Sequence, residues 1–306
     1  MKETKIASTD GKNQLNVYIW EPQEKPIAIL QISHGMCEHL NRYDDFAKFM
    51  NENNILVVGN DHLGHGKTAK DDDDLGYFGP GKSKTVVDDL FEVTKYTKEN
   101  YGKDIPYFLF GHSMGSFMAR RYIMTYGSEL TGAIISGTGS QPGVVLAGGK
   151  MVAGLIGAVK GERYRSPLLK SMAFGAYNKK IDNPRTVSDW LSKDEKIVDI
   201  YENDKFCKYD FTVDGYKTLF DSISFIQKPE NIKKIPVDLP IFFISGTDDP
   251  VGNYGKGVEQ VYDAYEAAGV KDIEIVLYHD GRHEMLNEIE REGVYEDVDT
   301  WIKRHI

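Results

Sequence analysis

Cysteine is nearly absent: the 306 residues hold two, Cys37 and Cys207. Two thiols make no disulfide framework, and a chain this long buries enough apolar surface to fold without one. Positive charge is also scarce. Lysine and arginine total 37 against 47 aspartates and glutamates, a formal net charge of −10. Nucleic-acid recognition needs a basic face that displaces counterions, so no nucleic-acid partner is expected. The same deficit disfavours electrostatic docking on anionic lipid. Long hydrophobic runs are missing too. The most apolar stretch, Val144 to Val159, is broken by Lys150 and four glycines and falls short of the roughly 20 apolar residues of a spanning helix. Residues Met1 to Gly11 are polar and show no secretory signal. A cytoplasmic protein is the expectation.

What is present is an alternation of strands and helices. Around Lys5 to Thr9 and Leu15 to Trp20, two alternating stretches flank Asp10-Gly11-Lys12 and predict a hairpin. Ile27 to Ser33 and Ile55 to Gly59 are continuous apolar runs, as expected of strands covered on both faces. Helical spacing marks Arg42 to Asn53 and Val86 to Tyr101. Strands at Tyr107 to Phe110 and Gly132 to Ile135 bracket a helix from Ser113 to Tyr126. The pattern predicts an α/β fold, a mostly parallel sheet with helices on both faces.

From about Gln141 to Lys228 the alternation stops, leaving helical pieces rich in Gly, Lys and Tyr. It resumes with a strand at Pro240 to Ser245, a helix from Tyr254 to Ala268 and a strand from Ile273 to Tyr278. Residues 1–140 and 229–306 therefore read as a core, and 141–228 as an inserted, mainly helical cap. The run Asp71 to Asp74 reads as a solvated loop, without the ligand spacing of a calcium site.

Chemistry enters at Gly111-His112-Ser113-Met114-Gly115, a G-x-S-x-G string between strand and helix. A sharp turn there lifts a serine hydroxyl above the sheet edge, and flanking glycines let strand and helix approach. A serine nucleophile needs a base and an orienting acid, which follow it in chain order on loops after later strands. Two loops qualify. One holds Asp248 and Asp249, the other His279 and His283. Asp249 and His283 are the favoured pair, His283 because a glycine turn frees it to swing over the sheet. The loop His34 to His39, after the strand ending at Ser33, is where a second backbone donor for an oxyanion should lie. The cluster Asp61, His62, His65 lacks further ligands at metal-site spacing and reads as support for the site's rim. No metal and no cofactor is expected.

These residues carry a resemblance. HGMCEH with Arg42-Tyr43, DHLGHG, GHSMG, GTDDPV and GRHE resemble the monoacylglycerol lipase and lysophospholipase branch of the α/β-hydrolase superfamily, over about 220 residues on both sides of the insertion. The resemblance implies an α/β-hydrolase fold with Ser113, Asp249 and His283 as catalytic triad and the amides of Met36 and Met114 as oxyanion hole. It implies a serine ester hydrolase acting on monoacylglycerol, lysophospholipid or similar small acyl esters. The chain departs at Cys37, where relatives commonly carry a second glycine, and at Leu63, where many carry a polar residue; Cys37 reads as a small buried hydrophobe.

Substrate contacts are expected from the cap around Val144 to Val159, whose apolar stretch is also a candidate for transient contact with neutral lipid. Two other classes compete. An amidase or aminopeptidase would use the same triad and a cap carboxylate, Glu195 or Glu202, to hold an amine. A non-catalytic binding protein of the same fold would normally have lost a triad member, and none is lost.

Overall fold

The computed structural model describes residues 1–306. Eight strands form one sheet: β1 (Lys2–Ala7), β2 (Gln14–Trp20), β3 (Ala28–Ser33), β4 (Ile55–Asn60), β5 (Tyr107–His112), β6 (Gly132–Ser136), β7 (Ile241–Gly246) and β8 (Ile273–Tyr278). Their order is β1-β2-β4-β3-β5-β6-β7-β8. The expected hairpin, β1 with β2, is antiparallel and joins β4 antiparallel. The other neighbours are all parallel. This is the α/β-hydrolase arrangement, a mostly parallel sheet with helices on both faces.

Ten helices accompany the sheet: α1 (Asp44–Glu52), α2 (Lys82–Tyr101), α3 (Met114–Tyr126), α4 (Gly143–Lys160), α5 (Pro167–Phe174), α6 (Glu195–Asn203), α7 (Val213–Ile226), α8 (Pro229–Ile232), α9 (Lys256–Ala267) and α10 (Arg291–Arg304). Strand residues alternate between two cores. Leu30 and Ile32 of β3 join Phe46 of α1 and Trp301 of α10 on one face. Ile29 joins Val93 of α2, Met118 of α3 and Val258 of α9 on the other. Because both faces are covered, the inner strands read as unbroken apolar runs. Helix α9 starts two residues later than its periodicity suggests. Asn253 and Tyr254 adopt positive φ (49° and 58°), which no helix accommodates.

Between β6 and β7 the chain adds helices α4 to α8 and no sheet strand. Helix α4 packs against α7 through Leu146, Gly149, Ala153 and Gly157, small residues at helical spacing that admit a close approach. Its other face is bare: Val144, Met151, Leu155 and Val159 are each more than half exposed. By length and composition α4 is apolar enough to cross a bilayer, although Lys150 and the glycines weakened that reading of the sequence.

The Asp71 to Asp74 loop is less free than expected. Arg163 pairs with Asp74 at 2.8 Å, and Arg165 donates to the carbonyls of Asp72 and Leu75 at 3.1 and 2.9 Å. Two arginines of the inserted segment thus fasten it to the core.

Candidate active site

Ser113 sits between β5 and α3 at φ 52°, ψ −121°, a left-handed conformation that a non-glycine residue adopts only under constraint. The constraint is visible in its flanking glycines. A Cβ on Gly115 would stand 1.9 Å from the Ser33 carbonyl oxygen, and one on Gly111 would stand 2.5 Å from the Gly115 carbonyl oxygen. Only glycine lets β5, α3 and the end of β3 meet there. The Ser113 amide donates to the Ser136 carbonyl at 3.0 Å, and its side chain opens on a cavity of about 1310 Å³.

His283 lines the same cavity and is almost wholly buried. Its Nδ1 lies 3.0 Å from Asp249 Oδ1, with the N–H directed off the line to that oxygen, and its Nε2 has no partner within the protein. Asp249 is oriented from behind: Oδ1 accepts from the Val251 amide at 2.8 Å and Oδ2 from the Ser245 hydroxyl at 3.2 Å. Burial pushes the His283 imidazole towards neutrality. The Asp249 carboxylate, helped by Glu284 and Glu38, outweighs that and raises its pKa above the ordinary value.

The structure separates the paired alternatives that the sequence left side by side. Asp248 is exposed and spends its amide on the Gly281 carbonyl at 2.9 Å. The His279 side chain is 88% exposed, with Nδ1 3.2 Å from Asp280 Oδ2. The two loops that carry Asp249 and His283 cross closely, and a Cβ on Gly246 would meet the Gly281 carbonyl oxygen at 1.9 Å. Gly137, at φ 58°, adds room beneath the candidate base: a side chain there would press within 3.0 Å of the His283 ring.

The amides of Met36 and Met114 donate to no acceptor in the protein, and both residues line the cavity. Met114 opens α3, so its amide stands at the positive end of that helix. Gly35 is close enough to Ser113 that a Cβ would come within 3.1 Å of the serine Cβ. Cys37 takes φ 53°, the left-handed geometry that glycine adopts without strain. Its thiol donates to the Tyr209 carbonyl at 3.3 Å, and burial pushes its pKa up, keeping it protonated.

The sequence reading missed a buried ion network beside these residues. Arg42 makes two bonds of 2.7 Å to Glu284 and one of 2.8 Å to Glu38. Glu38 accepts in turn from the Gly35 amide at 2.5 Å and the Tyr43 hydroxyl at 2.9 Å. The loop bearing Met36 is thereby tied to the residue after His283. Burial alone would raise both acids, but the bidentate guanidinium holds Glu284 down at about 2. Glu38 stays raised by burial, against the pull of Arg42. The signal available was Glu38 and Arg42 four apart, with a second glutamate beside the candidate base.

Trp190 was also missed. Its ring stands 5.0 Å from that of His283, and the carbonyls of Trp190 and Leu191 accept from the amides of His283 and Glu284 at 3.4 and 2.7 Å. Phe174, Tyr177, Phe211 and Leu219 continue the apolar wall. The expected stretch Val144 to Val159 contributes nothing to it. An apolar helix presents several usable faces, and α4 spends its small-residue face on α7 and turns the rest outward.

The Asp61, His62, His65 stretch is tied to its surroundings by hydrogen bonds and does not line the cavity. Asp61 accepts from the amides of Leu40 and Lys67 at 2.9 and 2.7 Å. His62 bonds the Ser33 hydroxyl at 3.1 Å, and His65 the Leu63 carbonyl at 2.9 Å. With Asp61 spent on these amides, the three do not form a ligand set.

Comparison with known proteins follows this geometry. Residues 24–290 match the family described as serine aminopeptidase S33. The chain is 25% identical over 302 residues to an abhydrolase domain-containing protein of Dictyostelium discoideum, covering 97% of this chain and 28% of that longer protein. It is 24% identical over 305 residues to the monoglyceride lipase of Rattus norvegicus, covering 98% and 90%. A thermostable carboxyl esterase from Bacillus coagulans, solved in complex with glycerol, superposes with a TM-score of 0.92 at 32% identity, over 99% and 98% of the two chains.

Proposed function

The chain belongs to the α/β-hydrolase family described as serine aminopeptidase S33, and from that premise we propose that it cleaves carboxylic esters through an acyl-enzyme on Ser113. One observation carries the reading. A buried histidine with a carboxylate on one ring nitrogen presents its other nitrogen, unpartnered, to the cavity on which a strained serine opens.

In this mechanism His283 Nε2 takes the Ser113 proton as Oγ attacks the ester carbonyl. Asp249 fixes the tautomer and stabilises the imidazolium. The Met36 and Met114 amides receive the oxyanion, each donor contributing about 3 kcal/mol to lowering the barrier. As the tetrahedral intermediate collapses, the imidazolium returns its proton to the departing alcohol. Water, activated by the same nitrogen, then releases the acid and frees the serine.

The cavity supports a substrate class. At about 1310 Å³ it exceeds the roughly 300–1,000 Å³ of pockets for drug-sized ligands, and aromatic side chains line much of it. A monoacylglycerol, lysophospholipid or other single-chain acyl ester suits it. The names of the rat lipase and the Bacillus esterase support the same reading. Residues 141–228 act as a cap over the site, with α5 and the Trp190 segment as its substrate-facing parts.

A second reading rests on Glu202. Its Oε1 is buried without a partner, and the residue lines the cavity, whereas Glu195 lies 72% exposed against Arg185. A carboxylate so placed suits a free amine, which would make the substrate an aminoacyl ester or amide. Intact mass after treatment with a fluorophosphonate tests the nucleophile: one adduct on wild type and none on Ser113→Ala are expected. An adduct retained by the variant overturns the assignment. Ester and aminoacyl-amide series on the wild type then separate the two substrate classes.

A further inference from the structure

Three side chains that ligate metals meet where the loop after β3 touches the segment following α6. His39 Nε2, a carboxylate oxygen of Asp204 and Cys207 Sγ all lie within 4.8 Å of one another. We propose that His39, Asp204 and Cys207 bind a thiophilic divalent cation of the zinc class, which pins the segment between β6 and β7 to the loop that carries Met36.

The local fold presents these groups together. Asp204 caps the end of α6, and the amides of Cys207 and Lys208 both donate to its carbonyl, at 3.0 and 2.9 Å. That turn carries the two side chains three residues apart onto one side. Asp204 Oδ1 is taken by the Phe206 amide at 2.8 Å, which leaves Oδ2 aimed at His39 Nε2, 2.9 Å away. His39 and Cys207 are both buried. One nitrogen, one oxygen and one sulfur make a donor set that favours zinc over magnesium or calcium. Three protein ligands leave a fourth position for water, and Cys207 faces the cavity from which that water would come.

Charge points the same way: Arg42 is spent on Glu38 and Glu284, and the ion pair that Asp204 makes is with His39. A divalent cation would neutralise the Asp204 carboxylate and the Cys207 thiolate. Binding replaces the Cys207 S–H by a sulfur–metal bond and releases one proton. His39 moves its ring proton to Nδ1 and gives its Nε2 lone pair to the ion. Because His39 lies three residues beyond Met36, occupancy stiffens both the cavity wall and the loop that carries Met36.

The test is titration of the metal-free protein with Co²⁺ and with Zn²⁺. One Co²⁺ per chain is expected, with a thiolate-to-cobalt charge-transfer absorption in the near ultraviolet. The band should be absent in Cys207→Ser and present in Cys37→Ser and Ser113→Ala. His39→Gln should weaken binding by at least about tenfold. Wild-type protein without the band, or a band that survives Cys207→Ser, overturns the proposal. Should Cys207→Ser fail to fold, Asp204→Asn and His39→Gln decide: each should weaken Co²⁺ binding and shift the band, and unchanged binding in both counts against the site. None of these readouts depends on which residue is the nucleophile.

Discussion

A β-carbon on Gly246 would stand 1.9 Å from the carbonyl oxygen of Gly281, so the loops bearing Asp249 and His283 cross with no room for a side chain. Gly246→Ala must push them apart. Displacement of catalytic groups by about 1 Å costs on the order of a hundredfold in rate, and overpacking costs about 1–3 kcal/mol of stability. The variant should lose activity by that factor at a temperature where circular dichroism still shows it folded. A fully active, folded Gly246→Ala would mean that the crossing does not set the geometry.

Asp249→Asn should lower kcat by about 10⁴-fold by presenting the wrong tautomer of His283. Asp248→Asn should change it little, because that side chain faces solvent. Measuring both in one ester assay separates the adjacent aspartates.

The pH profile should report the raised pKa of His283. The base works only when neutral, so kcat/KM should climb with pH through a midpoint above the ordinary histidine value of 6.5. The stability contributed by this pairing has the opposite sense. It is fully present below the unfolded-state pKa and fades as pH rises through the folded one.

Acid should destabilise the fold through other histidines. Burial lowers His62 to about 3 and His65 to about 4. Between pH 6.5 and 4 the unfolded chain therefore binds protons that the native chain refuses, and stability falls as pH falls. Asp89, which burial pushes up to about 6, works against this fall in the same window, so the test is a difference. Wild type should lose more stability towards acid than His62→Gln, and equal slopes would contradict the neutral burial of that ring.

Arg42→Met should cost about 3–5 kcal/mol, because two buried carboxylates lose their counterion. Arg42→Lys should recover only part of this, since an ammonium cannot reproduce the paired 2.7 Å bonds to Glu284. Urea titration of the three proteins gives the ordering.

Local pattern made the strands and the G-x-S-x-G turn legible, because runs such as Ile55 to Gly59 and the strand-to-helix junction are properties of contiguous residues. It also narrowed the candidate acid and the candidate base to two residues each. Pattern fails where a contact joins distant parts of the chain. Nothing near Asp249 announces that Gly246 will cross Gly281. Nothing near Arg42 names Glu284 as its partner. Helix α4 shows a third limit: apolar residues all round the helix do not say which face is kept for packing, so Val144 to Val159 read as a substrate wall and lie outside it.

The amides of His283 and Glu284 hang from the carbonyls of Trp190 and Leu191, and the guanidinium of Arg282 grips those of Asp189 and Ser192 at 2.7 and 3.0 Å. Residues 189–192 are therefore the doorpost of the cavity and not its door. A movement that carried them away would drag His283 with them, so an entrance opened there would admit substrate while pulling apart the proposed pair of His283 and Ser113. Helix α5 leans on the same post, the Phe174 ring stacked 6.2 Å from that of Trp190, so a shift of α5 would be felt at His283.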